Sequence, residues 1–258
     1  MKNLKFLGVV AMTTVLLTSC LDGGNNEKSG FGYGVAGFSM DAMGYAVYVD
    51  DNMSVYSPSF NGLTDDDCVQ FTYKINYDDP VNSGSPKYWT SSESTYIKLD
   101  NKGYVETVVD TTKASIKKNE MAAVDVAPLF INEYGATVKN FLFLNSSHQN
   151  SSTDQTNSYT LQVDLNQEPE VVDGNNVYNL FLRVVKVGDG KTTVGNSAFG
   201  YAIRAGNVFS TLESKEKAKD KDAFYFRFNY IKEFNKDSTE VTWGKSKVCA
   251  YKIYKGSK

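Results

Sequence analysis

The chain has 258 residues and a formal net charge of −3, and its content of 41% hydrophobic and 22% charged residues is typical of a folded protein. This length is enough for one large or two ordinary domains, each with a buried core. The acidic balance argues against nucleic acid as a partner, because phosphate binding needs a basic face. His148 is the only histidine, which excludes a multi-histidine metal site.

The first residues have the layout of an exported precursor. A short positive region precedes an apolar run over 6–17, which is too short to span a bilayer comfortably. "LTSC" at 17–20 resembles the lipobox of bacterial lipoproteins, in which the cysteine becomes the acylated N-terminus. We therefore predict a signal peptide over 1–19, lipid attachment at Cys20 and a flexible tether over 20–30. The alternative is an ordinary signal peptide with an incidental cysteine.

Lipid attachment also predicts where the protein is found. Each buried methylene contributes roughly 0.8 kcal/mol, so two or more acyl chains anchor a protein stably where one does not. Membrane lipid is thus a predicted partner through the acylated Cys20. We predict a lipid-anchored protein of the cell envelope, on the outer membrane, and leave open whether it faces the periplasm or the surface.

The region over 31–125 is predicted to form a small OB-like barrel. It begins with the glycine-rich "FGYGVAGF", which is typical of a strongly coiled or bulged strand. Hairpin turns are predicted at Asp50-Asp51-Asn52 and at Asn101-Lys102-Gly103. Five or six strands within about eighty residues suit such a barrel.

The region over 126–258 is predicted to form an antiparallel β-sandwich, so the fold class is all-β. Strand alternation is clearest in "AFYFRFNYI", where every second residue from Phe224 to Tyr230 is aromatic. "NVFSTL" is interpreted as a further strand. The charged segment 213–222 after it is predicted to be a solvated loop or a single helical turn.

Two further cysteines follow Cys20. An oxidising compartment permits their pairing, but alternation places Cys68 on the polar face of its strand and Cys249 on a buried face. We therefore predict two free thiols, with a disulfide as the alternative.

These features together carry a family resemblance. "LTSC", the stretch "GYAVYVDDNMSVYSP" and the acidic loop and strand of "DDDCVQFTYKINY" resemble the NigD-like lipoproteins of Bacteroidota, as does "VKNFLFLNSS" further on. The resemblance implies an N-terminal OB-like domain followed by a β-sandwich. It brings no catalytic or ligand-binding residue, and it implies an association with bacteriocin operons.

Several segments invite a chemical interpretation. "VGDGKTT" at 187–193 lacks the first glycine of a phosphate-binding loop, because Val185 stands at that position, and we predict a hairpin turn there. The acidic stretches at 49–52 and 64–67 are interpreted as solvated turns, with calcium binding as the alternative. No cofactor and no metal are predicted.

Exposed aromatic residues are the candidate ligand contacts. Tyr88, Trp89 and Tyr96 lie in or beside a polar loop of the barrel, where aromatic rings can stack on sugars or bases, and Trp243 occupies a similar context further on. The alternative for each is a structural role at the end of a β-domain.

Catalysis has no support in the sequence. His148 lies in "NSSHQNSS", interpreted as a mobile polar loop, and no nucleophile motif accompanies it. We predict a non-enzymatic binding or interaction module of the envelope, with an unidentified envelope protein or glycan as partner. The alternatives are a component of a glycan-capture or surface-assembly system and a bacteriocin-associated accessory protein.

Overall fold

The computed structural model describes residues 26–50, 53–83, 87–111, 115–129, 137–149, 152, 154–190 and 196–253. The predicted signal peptide, Cys20 and most of the tether lie outside these residues and stay predictions. Within the described ranges, no helix combines the length and the apolar character that crossing a bilayer requires.

Six strands form the first sheet, in the order β5-β3-β2-β1-β4-β6. Their bounds are β1 Glu27–Ser39, β2 Gly44–Tyr48, β3 Ser54–Tyr56, β4 Cys68–Asn76, β5 Trp89–Thr90 and β6 Tyr96–Lys98. Short 3-10 helices, Pro58–Gly62 and Pro80–Asn82, connect them. The antiparallel pairing of β2 with β3 confirms the predicted hairpin around Asp50.

The first sheet curls into a nearly closed barrel. β1 pairs with β4 along its first part and with β2 along its last part, as a strongly coiled strand does. The segment after β5 joins the two ends of the sheet, because the Ser91 amide donates to Tyr56 O (2.8 Å) and the Ser92 amide to Lys74 O (2.9 Å). The barrel interior is filled by alternating apolar side chains, among them Val47, Phe60, Val69, Phe71 and Ile75.

Eleven strands form the second sheet, ordered β16-β15-β13-β11-β7-β14-β10-β8, with β12 on β13, β17 on β15 and β9 on β10. Their bounds are β7 Asp100–Thr107, β8 Asp125–Pro128, β9 Thr137–Val138, β10 Phe141–Gln149, β11 Thr156–Val163, β12 Glu170–Val172, β13 Asn175–Gly188, β14 Asn196–Arg204, β15 Ala223–Phe234, β16 Val241–Lys245 and β17 Cys249–Lys252.

The second sheet also curls around its own core. The Ala123 amide, just before β8, donates to Ile231 O on β15 (2.8 Å), and the Tyr230 hydroxyl donates to Val124 O (3.2 Å), so the two ends of the sheet meet. The predicted aromatic face of β15 points into this core. The all-β fold class is confirmed, while three ladders, β7 with β11, β7 with β14 and β13 with β15, are parallel.

A helix covers one side of that core. α1, Gly206–Lys217, occupies "NVFSTL", which was predicted to be a strand, and this prediction was wrong. The helix continues into the segment 213–222, which was predicted to be a solvated loop or a single helical turn. Val208, Phe209, Leu212 and Glu216 are buried, which is the spacing of one helix face. The apolar run before the charged residues is short, and such a run fits a strand or a helix equally well.

Two predicted hairpins are absent from the described residues. The segment around Lys102 is part of the continuous strand β7, so no turn interrupts it. β7 also pairs in the second sheet, which therefore begins at Asp100, inside the range predicted for the barrel. β13 and β14, on either side of "VGDGKTT", are separated in the sheet by β11 and β7, so the segment joins strands that do not pair.

An apolar interface joins the two β-domains and corrects the placement of Cys68. Val35 and Cys68 of the barrel pack with Phe141, Phe143 and Ala202 of the second sheet. The face of β4 that carries Cys68 was predicted to be polar, but the second domain covers it with apolar residues, and Cys68 is 1% exposed. Burial raises the pKa of the Cys68 thiol to about 12.

Cys249 on β17 is half-buried, and burial raises the pKa of its thiol to about 11. Cys68 and Cys249 are both free, as predicted.

Candidate functional site at the hairpin end of the barrel

The four predicted aromatic residues do not form one site. Tyr96 lies on β6 with its ring 6.2 Å from Phe60, in the wall of the barrel. Trp243 lies on β16 in the second domain, with its ring 5.0 Å from Phe181. Trp243 was predicted as a candidate apart from the other three residues, and it lies in the second sheet while Tyr96 lies in the first.

Trp89 and Tyr88 lie beside each other but have different surroundings. The half-buried Trp89 packs against the barrel core and meets Tyr77 edge to face, with ring centroids 5.0 Å apart. This is the structural role given above as the alternative. Tyr88 instead contacts Tyr56 at the end of β3, with ring centroids 6.0 Å apart.

A separate group of apolar residues lies on the β1–β2 hairpin. Phe38 and Tyr45, opposite each other in the ladder, meet edge to face at 5.9 Å. The preceding residue, Gly44, lies against Tyr56, since a Cβ there would be 3.0 Å from the Tyr56 ring. Successive side chains of a strand point to opposite faces, so Tyr56 and Tyr88 lie on the other face of β2 from Tyr45. We name Phe38, Met40, Met43 and Tyr45 the hairpin surface.

The hairpin surface is held out from the barrel by an ordered turn. The Ala42 amide donates to Ser39 Oγ (3.3 Å), and Met43 adopts φ 50°, a left-handed conformation that ends the four-residue turn over 40–43. Lys87 beside Tyr88 forms an ion pair with Asp41 at the tip (2.8 Å), which ties the β5 side to the hairpin.

Exposure is the property that makes this surface unusual. Met40 is 74% exposed, Met43 75% and Phe38 48%, and all three lie within six residues of chain. Scattered exposed apolar residues are ordinary, but a contiguous group marks an interaction site. Sequence reasoning missed these residues. In the sequence, the two methionines of "FSMDAMG" were the available sign of an exposed apolar surface. Alternation alone is equally consistent with a place for them in a core.

The aspartate side chains of the acidic turns beside the hairpin have a structural role, because they accept hydrogen bonds from backbone amides. The Met53 amide donates to Asp50 Oδ1 (2.7 Å), the Phe38 amide to Asp65 Oδ1 (3.0 Å) and the Thr64 amide to Asp67 Oδ2 (2.7 Å). The bonds of Asp50 and Asp67 are those of side-chain-capped turns, and the bond of Asp65 fastens its turn to β1. Within the described ranges, no group of three or more His, Cys, Asp or Glu side chains has the geometry of a metal site.

His148 is not in a loop, contrary to the prediction. It lies on β10, is fully buried, and its Nδ1 is 2.9 Å from Ala122 O while its Nε2 is 2.9 Å from Ser146 Oγ. A carbonyl oxygen only accepts, so Nδ1 carries the proton and Nε2 accepts from the serine hydroxyl. Ser146 is also fully buried, so this pair is closed to substrate.

Burial lowers the pKa of His148 below its ordinary value of 6.5. The unfolded chain therefore binds the proton more readily, so the contribution of neutral His148 to stability is complete above about pH 6.5 and falls as the pH drops toward the folded pKa. We expect urea unfolding to show decreasing stability from about pH 7 to pH 5. His148→Gln should flatten this pH dependence; an equal slope in the variant would contradict the assignment.

With this geometry in place, the comparisons with known proteins define the class of the first domain. Residues 24–92 match the family model of the lipoprotein OB domain. The barrel is therefore similar to the OB domain of lipoproteins, which confirms the OB-like fold predicted for it. None of the curated proteins compared with the chain matches it.

Solved structures extend the similarity over both domains. An uncharacterized protein from Parabacteroides merdae ATCC 43184 is 27% identical, with a TM-score of 0.71 over 87% of this chain and 99% of that chain. A "putative lipoprotein" from Bacteroides fragilis NCTC 9343 is 10% identical, with a TM-score of 0.50 over 89% and 100%, and shares the fold. A NigD-like immunity protein from Bacteroides caccae ATCC 43185 is 12% identical, with a TM-score of 0.42 over 84% and 91%.

Proposed function

We propose that the protein is a lipid-anchored, non-enzymatic binding module of the cell envelope, which docks an envelope protein through the hairpin surface. The observation that carries the docking is the exposure of Phe38, Met40 and Met43 on one ordered hairpin. The match of residues 24–92 to the lipoprotein OB domain supports the anchor, together with the lipobox cysteine Cys20.

A protein partner suits the chemistry of this surface. Methionine and aromatic residues are enriched at the cores of protein interfaces, and flexible methionine side chains adapt their shape to a partner. The rim supplies polar contacts, since the Lys87–Asp41 ion pair borders the tip. OB-folds also use this end, because the loop between their first two strands is one of their binding loops.

A membrane surface and a glycan fit the hairpin surface less well. Membrane binding by exposed apolar residues gains from an excess of Lys and Arg near anionic headgroups, but Lys87 here is neutralised by Asp41. Sugar binding combines flat rings with several hydrogen-bonding side chains, whereas Met40 and Met43 are the most exposed members of this surface. We therefore name a protein as the occupant.

The anchor is tested separately from the docking surface. In the producing bacterium, the wild-type protein should fractionate with membranes, and Cys20→Ala should shift it to the soluble envelope fraction, because the variant loses its acyl chains. Recovery of the variant in the membrane fraction would contradict lipid attachment at Cys20.

For the docking surface, a photo-crosslinking amino acid is placed at position 40, at position 43 or, as the control, at Ile97 on β6, which is 67% exposed. In intact cells, positions 40 and 43 should yield the same protein adduct and position 97 should not. Phe38→Ala should reduce the yield of that adduct at position 43 about tenfold or more, the effect of removing an aromatic anchor. Adducts with lipid or glycan, or an equal adduct from position 97, would overturn the proposal.

A further inference from the structure

The two methionines of the hairpin surface differ from every other sulfur side chain among the described residues. Met40 is 74% exposed and Met43 is 75% exposed. The remaining sulfur side chains of the described ranges are all buried or half-buried, namely those of Met53, Met121, Cys68 and Cys249. An oxidant dissolved in the surrounding water therefore meets the thioethers of Met40 and Met43 first.

Packing protects the other two methionines. Met53 packs against the core of the barrel, and Met121 packs against the core of the second sheet. The Sδ atom of Met121 also accepts a hydrogen bond from Gln155 Nε2 (3.3 Å), so a donor already occupies one side of that sulfur. Transfer of an oxygen atom needs direct access to a sulfur lone pair, and packed neighbours restrict this access.

The two cysteines are protected by burial and by their protonation state. The thiolate is the form of cysteine that reacts with oxidants. Burial raises the pKa of the Cys68 thiol to about 12 and that of the Cys249 thiol to about 11, so both carry their protons at neutral pH. A thioether has no proton to lose, so access alone decides how fast Met40 and Met43 react.

Oxidation of the hairpin methionines changes the surface and leaves the fold intact. The turn over 40–43 is held by the bond from the Ala42 amide to Ser39 Oγ (3.3 Å), which involves neither methionine side chain. Among the described residues, Met40 and Met43 stand outside all three buried apolar clusters. A polar oxygen added to either sulfur therefore points into solvent and displaces no core contact.

The same change opposes docking through the hairpin surface. A sulfoxide replaces an apolar, flexible side chain by a polar one. A docked protein would cover both side chains, and covering a polar group without a hydrogen-bond partner costs free energy. Oxidation thus weakens the docked state specifically, because the free protein keeps its sulfoxides in water.

We propose that Met40 and Met43 form a peroxide-sensitive modification site, and that their oxidation releases the protein docked on the hairpin surface. A sulfur lone pair attacks one peroxide oxygen, so an S–O bond forms while the O–O bond breaks. The thioether is oxidised by two electrons to the sulfoxide, and the peroxide is reduced, its second oxygen leaving as water. The release rests on the proposed docking function, whereas the selectivity of oxidation rests on exposure alone.

Treatment of the mature protein with hydrogen peroxide, followed by tandem mass spectrometry of its peptides, tests the modification site. We expect Met40 and Met43 to gain one oxygen atom about tenfold or more faster than Met53 and Met121, because only the first pair is open to solvent. The melting temperature should stay unchanged when only the hairpin is oxidised. Equal rates at all four methionines, or unfolding on oxidation of the hairpin alone, would overturn the proposal.

Release is tested in intact cells with the photo-crosslinking amino acid at position 43, which leaves Met40 as the hairpin thioether. Hydrogen peroxide given before irradiation should lower the yield of the protein adduct about tenfold. Met40→Leu keeps the volume and the apolar character of the side chain without its sulfur, so its adduct yield should not respond to peroxide. Met53→Leu is the matched control and should respond as fully as the chain that keeps Met53.

The outcomes separate this inference from the docking function. Absence of a protein adduct at position 43 before peroxide is given would contradict docking, while the peptide rates would still decide whether Met40 and Met43 are the oxidised pair. An adduct that forms equally with and without peroxide in the chain that keeps Met40 would support docking and overturn release. An equal loss of adduct in Met40→Leu would place the sensitive group on the partner and also overturn release.

Discussion

Replacement of Arg183 by methionine should lower the free energy of unfolding by about 3–5 kcal/mol, because it leaves a buried carboxylate without its cation. Arg183 on β13 is 1% exposed and its partner Glu120 is 0% exposed, and Nη2 of the arginine is 2.6 Å from Glu120 Oε2. The guanidinium also donates to Ser115 O (3.0 Å) and Gln162 Oε1 (3.3 Å). Urea denaturation of the mature protein at neutral pH measures the loss.

Two further variants separate the charge effect from lost packing. The double variant Arg183→Met with Glu120→Met should be more stable than Arg183→Met alone, since no buried charge remains unpaired. Arg204→Gln breaks an ion pair to Asp66 that is half exposed on both sides, and it should cost about 1 kcal/mol or less. A double variant no more stable than the single one would show that packing, not charge, dominates at this position.

Gly34→Ala should cost about 3 kcal/mol or more, because the first strand of the barrel crosses β2 too closely for a side chain. A Cβ on Gly34 would lie against the carbonyl oxygen of Tyr48 and 2.5 Å from Val47 Cγ1. Real Cβ atoms essentially never come within 3.0 Å of such neighbours, and the backbone of β2 cannot yield without breaking its pairing with β1. Thermal and urea unfolding both report the loss.

Gly32→Ala provides the control on the same strand. The nearest atoms to a Cβ there belong to the Phe71 ring at 3.3 Å, a side chain that can shift by a few tenths of an ångström. We expect a change of less than about 1 kcal/mol, since the alanine also reduces the entropy of the unfolded chain. Equal losses in Gly32→Ala and Gly34→Ala would refute the close-approach explanation and point to a general intolerance of side chains on β1.

The predictions that held rest on local periodicity. Phe224, Phe226 and Phe228 alternate with polar residues, and the structure buries all three at 1% exposure or less. A period of two is a property of the strand backbone itself, so neighbouring residues suffice to predict it. The coiling of the glycine-rich first strand was predictable for the same reason, because a strand with few side chains can coil whatever packs beside it.

The predictions that failed concern which faces of the strands are buried and which segments of the chain cover them. His148 stands among serines and asparagines, a composition typical of loops, yet Ala122 from a distant segment satisfies its Nδ1 inside the fold. The polar face of β4 that carries Cys68 is covered because the second domain docks on it. The residues that flank His148 and Cys68 indicate neither contact, since each contact joins segments far apart in the chain.

The candidate site residues, too, were predictable only in part from the sequence. Tyr88 was predicted as a ligand contact, but the structure half-buries it against Tyr56, and the exposed Met40 and Met43 lie on a hairpin that alternation did not indicate. Helix α1 was also not indicated by the sequence pattern, and it packs against a loop fifty residues earlier in the chain, where Lys215 donates to the backbone oxygen of Leu165.

The sequence by itself determined the strand-rich fold class and the inward faces of its longest strands, because these depend on residues adjacent in the chain. It also predicts a lipid anchor at Cys20, from a motif of adjacent residues. The tertiary structure alone decided which apolar residues stay exposed and which charges become buried. Exposure and burial depend on what packs against a residue, and here the packing partners are brought together by two curled sheets and the interface between them.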